Sequence, residues 1–197
     1  MPVSRAPVAL ERYASEVIEP GANSLFNTGR FAVRPATIRD AAEISRVQTE
    51  SWQTSYRGIL PDRLLDTIDV AHREAMRRQL LNERTGLHLV AYDATHRDLV
   101  GFCYASKSLR TGPRVAELHE IYLVDRAKRY GLGRELFDGV TRWCHASRLT
   151  KLVLWVLEAN HPARRFYEAM GGKPGSRLQT AVRGYPVTEL SYVWDRL

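Results

Sequence analysis

Cysteine, lysine and long apolar runs are all scarce in this chain. Two cysteines in 197 residues, Cys103 and Cys144, make neither a disulfide framework nor a zinc-ligand spacing, and no metal is expected. The longest apolar run, Leu152 to Leu157, is far too short to cross a bilayer, so no membrane partner is expected. The opening stretch MPVSRAPVALERYASEVIEP lacks the continuous hydrophobic region of a secretory signal, which makes the cytoplasm the expected location. Lysine occurs 4 times against 25 arginines, within a net charge of +7. Those charges never form a run of five like residues, and no segment interleaves aromatic and basic residues in a nucleic-acid motif. A nucleic-acid partner is therefore not expected. A basic surface, or a ligand with several phosphates, accounts for the charge.

An apolar fraction of 44% and a charged fraction of 26% are ordinary for a soluble domain, and the length suffices for one core. Residues 1–30 read as a partly irregular N-terminal extension with one short helix, VALERYASEV. Residues 31–197 read as a single domain. FAVRPAT reads as a strand, IRDAAEISRVQTESWQTSYRG as a helix and DRLLDTIDVAHREAMRRQLLNE as a second helix. GLHLVAYDA, DLVGFCYAS and VAELHEIYLV are strands, and GRELFDGVTRWCHA is a helix with Leu132, Leu136, Val140 and Cys144 on one face. KLVLWVLEA is apolar on both faces, as a central strand should be. HPARRFYEAM is a short helix, and two strands around RGYP close the chain. The class is α/β with a mixed central sheet.

Within RAKRYGLGRELF, Gly131 and Gly133 fall where a loop turns into a helix. The first N–H groups of a helix lack intrahelical partners, and the helix dipole adds positive character there. Glycine lets an anion approach closely, and Arg129 and Arg134 can add charged hydrogen bonds. A pyrophosphate is the ligand this pattern suits. The nucleotide P-loop string is absent, and the spacing fails the dinucleotide fingerprint, since the sixth position is Leu136.

The segment IYLVDRAKRYGLGRELF resembles the acetyl-CoA signature of the GNAT superfamily of N-acetyltransferases, with Lys128 and Arg129 departing from its commonest residues. LWVLEANHPARRFYEAMGG is similar to the second signature of that family, and VRPATIRDAAEISRVQTESWQTSYRGILP to the opening strand and helix of one branch. The resemblance implies the GNAT acyl-CoA N-acyltransferase fold, a mixed sheet with helices on both faces. It also implies transfer of an acetyl group from acetyl-CoA to a primary amine of a small molecule or peptide, by direct attack in a ternary complex. Homodimers are common in such a family. A non-catalytic acyl-CoA sensor that keeps the same cleft is the alternative.

An alkyl amine with a pKa of about 10.4 is free base in roughly one molecule in 2,000 at neutral pH, so a base is required. The departing thiolate wants an acid, and the carbonyl oxygen wants an N–H donor. By resemblance Tyr167 is the acid, although Ala163, Phe166, Tyr167 and Met170 would form the same face in any buried helix. Glu117 is the first choice of base and His119 the second. Strand alternation puts both, with Ile121 and Leu123, on one face and Glu120 on the other. By resemblance the main chain of Ile121, Tyr122 and Leu123 holds the pantetheine arm, and the Leu123 N–H or a neighbour polarises the acetyl carbonyl. Arg129, Tyr130, Gly131, Leu132, Gly133 and Arg134 hold the pyrophosphate. Asn160 contacts the arm or simply caps its helix. Trp52 and Tyr56, one turn apart, line the acceptor pocket or belong to the core.

Overall fold

A computed structural model of the chain describes residues 26–27, 29–108 and 112–197. The helix expected in VALERYASEV lies outside these residues. Strand β1 (Phe26–Asn27) pairs antiparallel with β2 (Phe31–Pro35), so the sheet begins inside the segment expected as an extension. After β2, Asp40 accepts from the Thr37 N–H (2.7 Å) and from both terminal nitrogens of Arg34 (2.8 and 2.7 Å). This knot launches α1 (Ala41–Ser55), whose Ala41, Ile44 and Val47 are buried.

The expected second helix is two helices, α2 (Asp62–Asp66) and α3 (Val70–Glu83). Asp69 separates them because its side chain accepts from the His72 N–H (2.9 Å) and caps the new helix. Strands β3 (Leu87–Asp93), β4 (Asp98–Lys107) and β5 (Val115–Leu123) then form an antiparallel meander. Helix α4 (Leu132–Ala146) buries Leu132, Leu136, Val140 and Cys144, the face expected from their spacing. At about 1.5–3 kcal/mol for each large apolar side chain, that stripe fixes the helix to the sheet. Strand β6 (Lys151–Leu157), α5 (His161–Ala169), β7 (Lys173–Val182) and β8 (Tyr185–Trp194) complete the fold.

The sheet has eight strands in the order β1-β2-β3-β4-β5-β6-β8-β7. Only the β5–β6 pair is parallel; the other neighbours are antiparallel. Helices cover both faces: Phe102 lies under Arg77 of α3, whereas the adjacent Cys103 faces Leu136 of α4. Among the described residues no helix is long and apolar enough to cross a membrane.

Candidate active site

The single parallel pair is also the shortest interior pairing. Partners run Val115↔Lys151, Ala116↔Leu152 and Glu117↔Val153, and there they stop. Beyond Glu117, β5 continues along β4 while β6 continues along β8, so the two strands part and leave a groove. The Val124 N–H donates to the Val100 carbonyl (2.9 Å) on the β4 side. Alternation along the strand then turns the N–H and C=O of Leu123 and Ile121 toward the groove, and those of Tyr122 toward β4. The Tyr122 main chain, expected to hold the pantetheine arm, thus faces β4, while its side chain meets α1. A strand edge with unmet donors and acceptors accepts an extended amide-bearing chain as an added strand. Ile121 and Leu123 are partly buried against the core, as are Ala163 and Phe166 of α5.

At its far end the groove meets the start of α4. Gly131 is the N-cap in a left-handed conformation (φ 83°), and no side chain caps the helix. Arg129 is left-handed as well (φ 67°), so the loop doubles back twice within three residues. Gly131 is exposed, and a Cβ there would meet nothing within 4 Å. Gly133 differs: a Cβ would lie 3.2 Å from Phe166 and 3.6 Å from Leu123, at the closest approach of α4, α5 and β5. Of the four basic residues around the glycines, Arg126 is bound to Asp98 and Lys128 to Asp125. Arg129 and Arg134 make no ion pair among the described residues. Tyr130 is 55% exposed, with its ring against Phe31 and Arg30.

The loop is anchored at its root. Asp93, fully buried, accepts from Arg30 (3.1 Å) and the Thr95 N–H (2.9 Å), and it lies 3.5 Å from Arg126. Burial works to raise the Asp93 pKa, but these donors overcome it and hold the carboxyl below the usual carboxylate range.

The polar wall is shaped by an irregularity in β5. Tyr104 pairs with Glu120 but Ala105 pairs with Leu118, so His119 is an extra residue, a β-bulge. The expected alternation fails here. Glu120 shares the α1/α3 face with Glu117 and His119, accepting from Gln48 (2.7 Å) and from Arg77. Leu123 turns to the opposite face, toward Gly133. His119 lies 3.8 Å from Glu117, bonds Ser106 (2.8 Å) and stacks on Tyr104, whose other side stacks on His88.

Further along β5, the Trp52 Nε1–H donates to the Tyr122 hydroxyl (3.1 Å), which also bonds the Tyr56 hydroxyl (3.2 Å). Trp52 and Tyr56 meet edge to face and pack on the buried cluster of Leu60, Leu65 and Leu157. Burial raises the pKa of Tyr56 and, more strongly, of Tyr122. Tyr167 is buried between Phe166, Tyr192 and Trp194, and burial raises its pKa too, with Tyr56 adding to the effect. Its hydroxyl makes no hydrogen bond among the described residues. Asn160 caps α5 by accepting from the Ala163 N–H (3.2 Å), which leaves its amide NH2 unused among the described residues.

Sequence reading missed Glu120, the Tyr122 side chain, Arg73 and Arg77. The arginines carried a signal, an i, i+4 spacing that puts both on one face of α3. The bulge carried none.

A sheet split between parallel strands, with an open helix start at the mouth of the split, is the architecture of acyl-CoA N-acyltransferases. The sequence profile described as the acetyltransferase (GNAT) family matches residues 47–172. YuaI of Bacillus subtilis strain 168, an uncharacterized N-acetyltransferase, is 26% identical over 167 residues, 84% of this chain and 93% of its own length. The PaiA N-acetyltransferase of Thermoplasma acidophilum, solved with coenzyme A, superposes with a TM-score of 0.65 at 22% identity, covering 81% of this chain and 97% of that one. YncA of Salmonella typhimurium, solved with acetyl-CoA, gives 0.63 at 18% identity, over 85% and 94%. The chain belongs to the GNAT acetyltransferase family, in which acetyl-CoA is the acyl donor.

Proposed function

We propose that the protein transfers the acetyl group of acetyl-CoA directly to a primary amine in a ternary complex. One observation carries this reading: the open β5 edge at Ile121 and Leu123 runs into a helix start with no side-chain cap, beside two arginines that make no ion pair among the described residues. Pantetheine carries two amides, which suit an exposed strand edge. The diphosphate suits the N–H groups of residues 131–134 together with Arg129 and Arg134. Acetyl-CoA supplies the activated thioester.

Within this frame Leu123 N–H is the donor for the acetyl oxygen. Tyr167, kept protonated by burial, gives its proton to the leaving sulfur. Glu117, seated where β5 and β6 part, receives the amine proton, with His119 next in line. Glu117 stands five positions from Tyr122, about 16 Å by strand rise, so the proton reaches it through water. Glu120 is committed to Arg77 and Gln48 and acts as their anchor. Direct attack is favoured because both cysteines are buried and burial pushes each thiol up to about 12, leaving no thiolate to hold an acetyl group.

The test couples acetyl-CoA binding by calorimetry to thiol release against a panel of amines, amino acids and peptides. Wild-type protein should bind acetyl-CoA and release CoA with at least one acceptor. Gly133→Trp, whose side chain must collide with Phe166 and Leu123, should bind none. Normal affinity in that variant overturns the cradle. Binding without release across the panel assigns a sensor instead.

A further inference from the structure

The α3 side of the site holds charge that acetyl transfer does not use. Arg73 and Arg77 lie one turn apart, and both face β5. Arg77 is 3% exposed; one terminal nitrogen bonds Glu120, and the other, Nη1, is buried with no partner among the described residues. The Arg73 guanidinium lies over the Trp52 indole, 4.5 Å from the ring centre. It makes no hydrogen bond or ion pair among the described residues, and its Nη1 is likewise buried and unmet. Elsewhere in the fold, Arg30, Arg34, Arg46, Arg57 and Arg126 each meet a carboxylate. A buried donor left unmet costs about 1–3 kcal/mol, more when charged, so a guanidinium with a buried, unmet nitrogen marks a place for an anionic acceptor.

The surroundings point the same way. Arg183, at the tip of the β7–β8 hairpin, donates to the carbonyls of Leu64 (2.9 Å) and Thr67 (3.3 Å), which ties the hairpin to the end of α2. Burial lowers the Arg73 pKa, and Arg183 and Arg77 push it the same way, while Tyr122 and Glu120 oppose them. Among the described residues Glu120 is the one carboxylate bonded to this cluster, and Arg77 already holds it. Positive charge is thus in excess at a spot one aromatic ring, Trp52, away from the Tyr122 hydroxyl of β5, the strand whose edge opens on the groove.

We infer that the acceptor is a small aminocarboxylic acid, whose carboxylate is received by the Arg73 guanidinium on its Trp52 platform while its amine enters the groove. This specificity rests on the acetyl-transfer reading. It disfavours polyamines, which would bring more positive charge to Arg73.

The experiment compares α-amino acids with their α-carboxamides as acceptors in thiol release, for wild type, Arg73→Gln and Arg73→Lys. The carboxamide amine resembles a chain terminus, with a pKa of about 7.7–8.0, and holds more free base at neutral pH; a preference for the acid therefore reports recognition of the carboxylate. Wild type should prefer the acid in kcat/KM. Arg73→Gln should lower that acid-to-amide ratio by about 10- to 100-fold, mainly through KM, and Arg73→Lys should restore part of it. Amides used as well as acids, or a ratio unmoved by Arg73→Gln, overturns the inference while leaving acetyl transfer intact. If no amine releases CoA, transfer itself fails, and the anion site is judged alone by Trp fluorescence. Quenching of the CoA-saturated protein by amino acids but not amides, lost in Arg73→Gln, upholds the site, and equal or no quenching overturns it.

Discussion

His88 offers a measurement in which structure sets both sign and size. Its ring is sandwiched against Tyr104 (4.3 Å between centres), its Nε2–H donates to the Thr85 carbonyl (3.1 Å), and Arg77 stands nearby. Burial, and then Arg77, pull its pKa from 6.5 to about 4. A depressed histidine is neutral in the folded protein and protonated in the unfolded chain between those two values. The unfolded state then binds more protons, so stability is present above pH 6.5 and is lost as pH falls toward about 4. That lowering corresponds to about 3 kcal/mol, of which about 2 kcal/mol is lost between pH 7.5 and 5. Asp93 also gives acid lability, but its pKa is lowered, so its loss begins only as pH falls into the ordinary aspartate range, below the interval tested, and continues beneath it. Urea unfolding of wild type and His88→Gln at pH 7.5 and pH 5 isolates the effect. The variant should lose about 2 kcal/mol less than wild type over that interval. Equal losses refute the claim that this ring is held neutral by burial beside Arg77.

Two further outcomes test the chemistry. Tyr167→Phe should keep acetyl-CoA binding and thermal stability, since its hydroxyl bonds nothing among the described residues, yet slow turnover by about 10²-fold or more; an unchanged rate removes Tyr167 from the reaction. Glu117→Gln should shift the pH–rate profile upward, and an unmoved profile transfers the role to His119 or to water.

Much of the fold was legible because burial leaves a periodic trace. The stripe Leu132, Leu136, Val140 and Cys144 announced α4, and the doubly apolar run Leu152–Leu157 announced the central β6. The two left-handed positions of the loop before α4 were half legible: Gly131 declares such a bend, whereas Arg129 adopts it against its residue type. The break between α2 and α3 hid behind helix-compatible residues until the Asp69 cap was seen. β1 escaped notice because two residues carry no period.

The β5 bulge shows why the chemistry is harder to read than the scaffold. Strand alternation is a statement about register, and one inserted residue reverses it for everything beyond. With His119 bulged, Glu117, His119, Glu120 and the Tyr122 side chain all project from one face, where a regular strand would have sent half of them into the α4 core. Burying an unpaired Glu120 would cost several kcal/mol, so the bulge that aims it at α3 and the Arg77 that receives it act together. Arg77 completes Glu120, and the same helix brings Arg73 beside it with no carboxylate of its own among the described residues. The irregularity that gathers the polar groups of the site thereby also leaves one cation for the acceptor to satisfy.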